Sequence, residues 1–449
     1  MHDERDFEDA VDYIHALGEL GWKPGLERFG ALCERLGNPQ DRLKCVHVGG
    51  TNGKGSTTAM VSHILKAAGY RVGSYYSPYM YNIRERVMLD CEMISKDAFT
   101  RLIDVIRPHA AAIGETNLGH PTEFEVKTAL GLLYFVEQGV DFAVLEVGLG
   151  GRLDATNIVN PLVSVITNVT LDHMDRLGNN IPEIAFEKAG IIKKGGHVVT
   201  AADGEALDVI RRTCEERDAV LWQVRGSDGR FGICPAPCDQ GRWTSDAGRR
   251  TQDGLSVYGM NAAYKGLTLR MKGDFQLINA ATAIGAIEAL QAKGISIPES
   301  AIRTGLETAY LPGRLEVLRE RPMLLIDGAH NLDATRKLAY ALKRWFTYDK
   351  LFLVMGMVTG HSAENAVGEL APLATKFYAT APDSDRAAPA VEVAETARAH
   401  CPDVEIVEPV CEAVSRALQS AGENDMVCVT GSFYTISEVP RPPSRTAEF

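Results

Sequence analysis

No stretch of the 449 residues is apolar for long enough to cross a bilayer. The first residues, Met1 to Asp6, are acidic where a secretory signal would start basic and continue apolar, so a cytoplasmic location is expected. Positive charge is also short: 47 Lys and Arg stand against 59 Asp and Glu, a formal net charge of −12. That balance excludes broad binding to nucleic acid or to an anionic membrane, and an anionic substrate would need a local basic site. Nine cysteines, an odd number spread along the chain, suit reduced thiols and not a disulfide framework. Cys234 and Cys238 are the one close pair, and without a second pair or flanking histidines they do not make a structural zinc site. There is no fixed-period repeat.

What is present is a soluble, globular composition, 45% hydrophobic and 24% charged, on a chain too long for one ordinary core. The stretch that organises it is Gly49-Gly50-Thr51-Asn52-Gly53-Lys54-Gly55-Ser56, between the apolar run Cys45 to Val48 and a helix-like segment from Ser56 to Ala68. Strand, glycine loop and helix together gather backbone N–H groups and the positive end of a helix on one point, which suits a phosphate. Lys54 adds a cation, and the Ser56 hydroxyl can reach a magnesium ion. The spacing departs from G-x-x-x-x-G-K-[ST], because Gly55 separates Lys54 from Ser56. A plain Gly-rich turn at a strand end is the competing reading.

Two short helices over Phe7 to Leu36 precede the loop, and a strand over Arg71 to Tyr76 follows its helix. Asp141 to Val147 reads as a buried strand carrying Glu146 near its end, where a carboxylate can hold magnesium or simply face solvent. Pro161 to Thr167 is another strand, followed by Leu171-Asp172-His173, in which His173 is a structural histidine or a ligand. A helix over Ile181 to Ile192 and a strand over His197 to Thr200 come next. Gly226 to Asp253 is Gly-, Arg- and Asp-rich and reads as a surface hairpin or mobile excursion outside the core. Ile278 to Ala292 is an Ala-rich helix opened by Asn279. Past Leu311-Pro312-Gly313-Arg314 the β/α alternation restarts, with strands at Met323–Asp327, Leu351–Met355, Lys376–Ala379 and Met426–Thr430 and helices at Leu332–Trp345 and Ala390–His400. The expected domains are 1–300 and 301–449.

Six motifs in order, Gly50 to Ser56, Leu145 to Asn157, Leu171 to His173, Glu187 to Gly190, Leu311 to Arg314 and Asp327 to Asn331, make the chain resemble the folylpolyglutamate synthase and dihydrofolate synthase family, of the Mur-ligase type and in its bacterial bifunctional form. The resemblance implies an α/β fold, a Mur-ligase-like P-loop ATPase domain with a second, smaller Rossmann-like α/β domain. It implies an ATP- and Mg2+-dependent ligase that adds L-glutamate to tetrahydrofolate, and to dihydropteroate, through an acyl phosphate. Chemically, a carboxylate is a poor electrophile until phosphoryl transfer activates it, so such a site must clamp phosphates and offset negative charge.

Residue by residue, the resemblance implies that Thr51, Asn52, Gly53, Lys54, Gly55 and Ser56 bind ATP, and that Asn279, Arg314, Asp327 and His330 contact it from the far side of a domain cleft. Ser77, Glu146 and His173 resemble magnesium ligands, with Ser56 near the phosphates. Lys188 resembles a lysine that the family carbamylates to help hold a second magnesium, although on the bare sequence it reads as an exposed helix lysine. Lys54, Lys188 and His173 are the catalytic candidates. Thr122, Glu123, Phe124, Glu125, Leu153, Asp154 and Ala155 resemble pterin-binding segments, with core packing the other reading of Phe124. Where many members read Ser-Pro-His-Leu, this chain has Ser77-Pro78-Tyr79-Met80, and Gly356 to Ser362 lacks the usual lysine-rich segment. A monomer with small-molecule partners only is expected. A muramyl ligase, which needs a preceding sugar-nucleotide domain, and a non-ligating ATP switch are the competing readings.

Overall fold

The computed structural model describes residues 4–21, 23–227, 230–235, 255–359 and 363–441. It divides into two compact units, the first 1–270 with 276–310 and the second 271–275 with 311–449. The division falls later than the expected 300/301. The reason is local: the helix Glu299–Thr308 lies against the helix Lys54–Ala67, where a Cβ at Gly305 would sit 2.5 Å from the Ile64 backbone.

In the first unit the described strands are β1 (Cys45–Gly49), β2 (Val72–Tyr75), β3 (Val87–Leu89), β4 (Glu92–Met93), β5 (Phe142–Glu146), β6 (Val163–Ile166), β7 (His197–Thr200), β8 (Val220–Ser227), β9 (Arg230–Pro235), β10 (Leu255–Tyr258) and β11 (Ala263–Leu267). They form one sheet in the order β11-β10-β9-β8-β7-β6-β1-β5-β2-β3-β4. From β8 to β2 all pairs are parallel, and β1 lies between β5 and β6 although both come later in the chain. This is a doubly wound centre, whose switch point puts ligands beyond the carboxyl ends of β1, β5 and β6. Every residue of β1 and β5 is buried, as parallel strands covered on both faces require. One core joins Ile14, Phe29, Phe99, Ile103 and Phe135 to Tyr75 and Leu145, and another joins Ile184, Ile192 and Ile210 to Val147 and Ile166.

The expected excursion from 226 to 253 is only partly that. Its segment β9 pairs antiparallel with β8 and parallel with β10, and Phe231 and Ile233 are buried, so a hairpin forms but it enters the sheet. Residues 228–229 and 236–254 lie outside the described residues, as does Cys238 of the close cysteine pair. The Ala-rich helix runs Asp274–Ala292, which places Asn279 in its second turn and not at its opening.

The second unit holds β12 (Glu316–Glu320), β13 (Met323–Ile326), β14 (Leu351–Gly356), β15 (Lys376–Thr380), β16 (Val404–Ile406) and β17 (Met426–Thr430), in the order β12-β13-β17-β14-β15-β16. All pairs but β12 with β13 are parallel. Its helix Leu332–Trp345 starts and ends where the apolar spacing places it, and Asn331 caps it by accepting from the Ala334 N–H at 2.9 Å.

Candidate active site

The chain leaves β1 at Gly49 and turns into the helix Lys54–Ala67 through four residues. Gly50 has φ +137°, and a Cβ there would lie 1.9 Å from Thr167 Oγ1, so backbone shape and space both demand glycine. The loop is tied to the residues after β6. Thr51 N–H donates to Asn168 O at 2.8 Å, Asn52 N–H to Asn168 Oδ1 at 2.8 Å, and Thr167 Oγ1 to Asn52 O at 2.7 Å. The Thr51 hydroxyl donates to Thr170 O and accepts from Thr170 N–H at 3.2 and 3.1 Å. Two strand ends thereby hold the turn before any ligand arrives. Gly53 caps the helix at φ +86°, and the first-turn amides beyond it have no carbonyl one turn earlier to bond.

Two lysines converge on this turn. Lys54 Nζ donates to Gly50 O at 3.3 Å and to Thr51 O at 3.0 Å, while Lys188 Nζ donates to Gly50 O at 2.9 Å. Lys188 is 3% exposed, not the exposed helix lysine of the bare sequence. Burial, and then the Lys54 charge, push its amine down to about 7 against the opposing pull of Asp172. A large fraction of Lys188 is therefore uncharged at neutral pH, the state in which an amine is a nucleophile.

Glu146 ends β5 buried, not facing solvent, and one carboxylate oxygen accepts from the Ser77 N–H at 3.0 Å. His173 has a left-handed backbone, φ +48°, and its N–H donates to Asp172 Oδ1 at 3.0 Å. Among the described residues no three His, Cys, Asp or Glu side chains gather into a metal cage. The donor set fits magnesium on its chemistry: a buried carboxylate beside a serine leaves most positions to phosphate oxygens and water, as this cation favours. Ser56 is buried, and its Oγ accepts from Gln276 Nε2 at 3.2 Å. Asn279 belongs to the same unit as the loop, against the far-side expectation, and its Oδ1 lies 2.4 Å from where a Cβ on Gly53 would be.

The segments expected to hold a pterin divide into side chains paired within the protein and a ring and a carboxylate that meet over Gly148. Thr122 caps the helix Glu123–Glu137, and Glu125 completes a capping box by accepting from the Thr122 N–H at 2.7 Å. Glu125 also takes Arg28 Nε at 2.8 Å in a buried ion pair, so both side chains are occupied within the protein. Glu123 pairs with Lys127. Phe124 is half-buried, edge-on to Tyr75 with centroids 6.2 Å apart, and under the Arg86 guanidinium at 5.8 Å. The Phe124 ring and Asp154 meet over Gly148, where a Cβ would lie 2.5 Å from Phe124 Cζ and 3.1 Å from Asp154 Oδ2. Asp154 is buried, with its carboxyl pushed up by desolvation, and accepts from the Leu149 and Thr156 N–H groups at 2.9 Å. Leu153 beside it is half-buried and Ala155 is buried. Arg28 and Arg86 were missed from sequence, since lone arginines amid mixed residues carry no periodic signal.

In the second unit, Asp327 directly follows β13, is buried, and accepts from the Leu315 and Ala329 N–H groups at 2.9 Å each. Burial pushes its carboxyl up, against the pull of Arg314. The Arg314 guanidinium stands 4.6 Å from the centre of the Phe433 ring, and the centre of the His330 ring lies 6.1 Å from that of Phe433. His330 Nδ1 donates to Gly328 O at 2.8 Å. These three are brought together at the carboxyl ends of β13 and β17, with Phe433 as a member that the sequence did not announce.

Comparison with known proteins gives concordant results. Residues 48–287 match the Mur ligase middle domain and residues 313–433 the Mur ligase glutamate ligase domain. The dihydrofolate synthase/folylpolyglutamate synthase of Bacillus subtilis is 37% identical over 442 residues, covering 96% of this chain and 98% of that protein. E. coli FolC in complex with DHPP and ADP superposes with a TM-score of 0.81 at 30% identity, over 95% of this chain and 96% of that one. A bifunctional folylpolyglutamate synthase/dihydrofolate synthase with Mn, AMPPNP and L-glutamate bound gives a TM-score of 0.79 at 30% identity, over 95% and 96% of the two chains.

Proposed function

Because the chain belongs to the dihydrofolate synthase/folylpolyglutamate synthase family of Mur ligases, an ATP-dependent glutamate ligase family, we propose that it joins L-glutamate to both tetrahydrofolate and dihydropteroate. The observation that carries the ligase assignment is the pair of lysines, one partly exposed and one buried, converging on the Gly50 carbonyl of a glycine turn at a helix start. In this reading the amides at 53–56 and Lys54 hold the ATP phosphates, and Lys54 leaves its loop carbonyls to follow the negative charge. An oxygen of the acceptor carboxylate attacks the γ-phosphorus, the bond to the β-phosphate oxygen breaks, and ADP leaves. The glutamate amine then attacks the acyl carbon, phosphate departs, and the amine loses its proton.

A magnesium ion held by Glu146, Ser77 and His173 would offset charge on the phosphates. Lys188, uncharged in large part at neutral pH, is suited to take up carbon dioxide as a carbamate, converting a cation into a further anionic ligand. Arg314, Asp327 and His330 are assigned to the nucleotide. The acceptor ring is assigned to Phe124, with Asp154 and its neighbours Leu153 and Ala155 on its donor-bearing edge. That pairing of ring face and carboxylate is what favours dihydropteroate as a second acceptor. No described helix is long and apolar enough to cross a membrane, and every assigned partner is a small molecule.

The test is purified enzyme with ATP, magnesium and glutamate, assayed side by side with each acceptor. Phosphate release that requires glutamate and acceptor together, with product heavier by one glutamate residue, is expected for both. Release indifferent to them supports a switch, and product from one acceptor alone ends the bifunctional part.

A further inference from the structure

Gln276 has no part in the reading above, yet it is fully buried in the first turn of the helix Asp274–Ala292. A buried carboxamide must satisfy a donor end and an acceptor end or stay outside the core. Both ends here go to residues of the nucleotide loop's surroundings. Nε2 donates to Ser56 Oγ at 3.2 Å, and Oε1 accepts from Asn279 Nδ2 at 3.0 Å. We propose that Gln276 is a positioning residue for ATP, setting the orientation of the Ser56 hydroxyl and of the Asn279 amide at once.

The relay runs one way. Ser56 spends one lone pair on Gln276, which leaves its other lone pair and its own proton for whatever the loop binds. Asn279 spends an N–H on Gln276, which turns its Oδ1 toward the loop, the atom nearest the missing side chain of Gly53. Rotating the Gln276 amide by half a turn would set its NH2 against the Asn279 NH2, losing that bond, and would draw the Ser56 proton onto the Gln276 oxygen and away from the loop. Without Gln276, the hydroxyl and the amide could each adopt several orientations, and the nucleotide would have to select one.

The inference rests on the loop being an ATP site, and the experiment separates the two. Titration of the wild-type enzyme with magnesium and a non-hydrolysable ATP analogue by calorimetry tests the loop itself, since no heat of binding would remove the premise. Given wild-type binding, Gln276→Met is expected to weaken the analogue about tenfold and to raise KM for ATP by a similar factor. KM for glutamate and for either acceptor should stay as in the wild type, with the melting temperature within a few degrees. In a Ser56→Ala background, the same change should cost clearly less than tenfold, because both act through one hydrogen bond. A wild-type dissociation constant in Gln276→Met, a parallel rise in all three KM values, or full additivity with Ser56→Ala overturns the proposal. If Gln276→Met does not fold, Gln276→Glu takes its place: it can no longer donate to Ser56, it should lose at least as much affinity, and unchanged affinity has the same overturning force.

Discussion

Lys188 and Lys127 are both 3% exposed, and both amines are brought down to about 7, chiefly by burial. Their surroundings differ. Lys127 sits one turn along its helix from Glu123, forms an ion pair with it, and has Arg86 as the cation working against it. Lys188 donates to a backbone carbonyl and has Lys54 as its nearby cation, with Asp172 the one carboxylate pulling the other way. A buried amine with a carboxylate partner is accounted for by packing and pairing. One that shares a carbonyl with a second lysine, and has Asp172 only as an opposing pull, is costly to charge, and an incoming anion would lower that cost.

The largest expected effect in breaking this comparison is Lys54→Ala, which removes the mobile cation of the pair. Glutamate ligation should fall about a thousandfold with either acceptor, while circular dichroism and melting stay close to wild type. Activity within a few-fold of wild type would show that the turn does not carry the phosphates. Lys188→Ala should lose about a hundredfold, and formate or acetate at high concentration should restore part of it by filling the anionic position. No rescue across a range of small carboxylates would argue against a carbamate.

Lys188→Met asks about stability instead. The folded amine titrates near 7 and its unfolded counterpart near 10.5, so between those values the unfolded chain holds the extra proton and stability rises with pH. Below about 7 the full cost of charging a buried amine is present. The methionine variant should therefore be more stable than wild type by about 1–3 kcal/mol below pH 7, and that gain should shrink as pH climbs toward 10. Urea midpoints across pH give the answer, and a uniform loss would mean that the Gly50 hydrogen bond outweighs the burial cost.

Asp154→Ala sharpens the acceptor side. Activity with dihydropteroate should drop about tenfold further than with tetrahydrofolate, a ratio that a general weakening of the 148–157 segment does not move. Equal losses would assign Asp154 to its backbone partners alone. Smallest of all, Lys127→Met should change ligation less than about threefold, because Glu123, a third exposed, can turn to water.

The parallel centre of each unit was legible because buried strands read as short apolar runs between polar loops. Met426–Thr430 and Leu332–Trp345 were found to the residue. The helix Lys96–Gly114 was not assigned from sequence: it carries Pro108 in its interior, which reads as a break. The edge from β9 to β11 was obscured by Gly, Arg and Asp between short strands. Within the site, residue types forecast chemistry but not hydrogen-bond accounts. Thr122 and Glu125 resemble ligand contacts in one dimension, and in three they are a helix cap and half of a buried ion pair, whose loss of one partner would cost about 3–5 kcal/mol. Asn279 was placed across a cleft because over 200 residues separate it from the loop, whereas the helix that bears it returns to Gly53.

The fit of Gly305 on Ile64 reaches beyond domain bookkeeping. With no room for a methyl group between the helices Glu299–Thr308 and Lys54–Ala67, the back of the helix that follows the glycine turn is pinned in direct contact. Its amides should be among the last in the protein to trade hydrogen for deuterium, so that the turn in front works from a fixed anvil while the side chains of Lys54 and its partners do the moving.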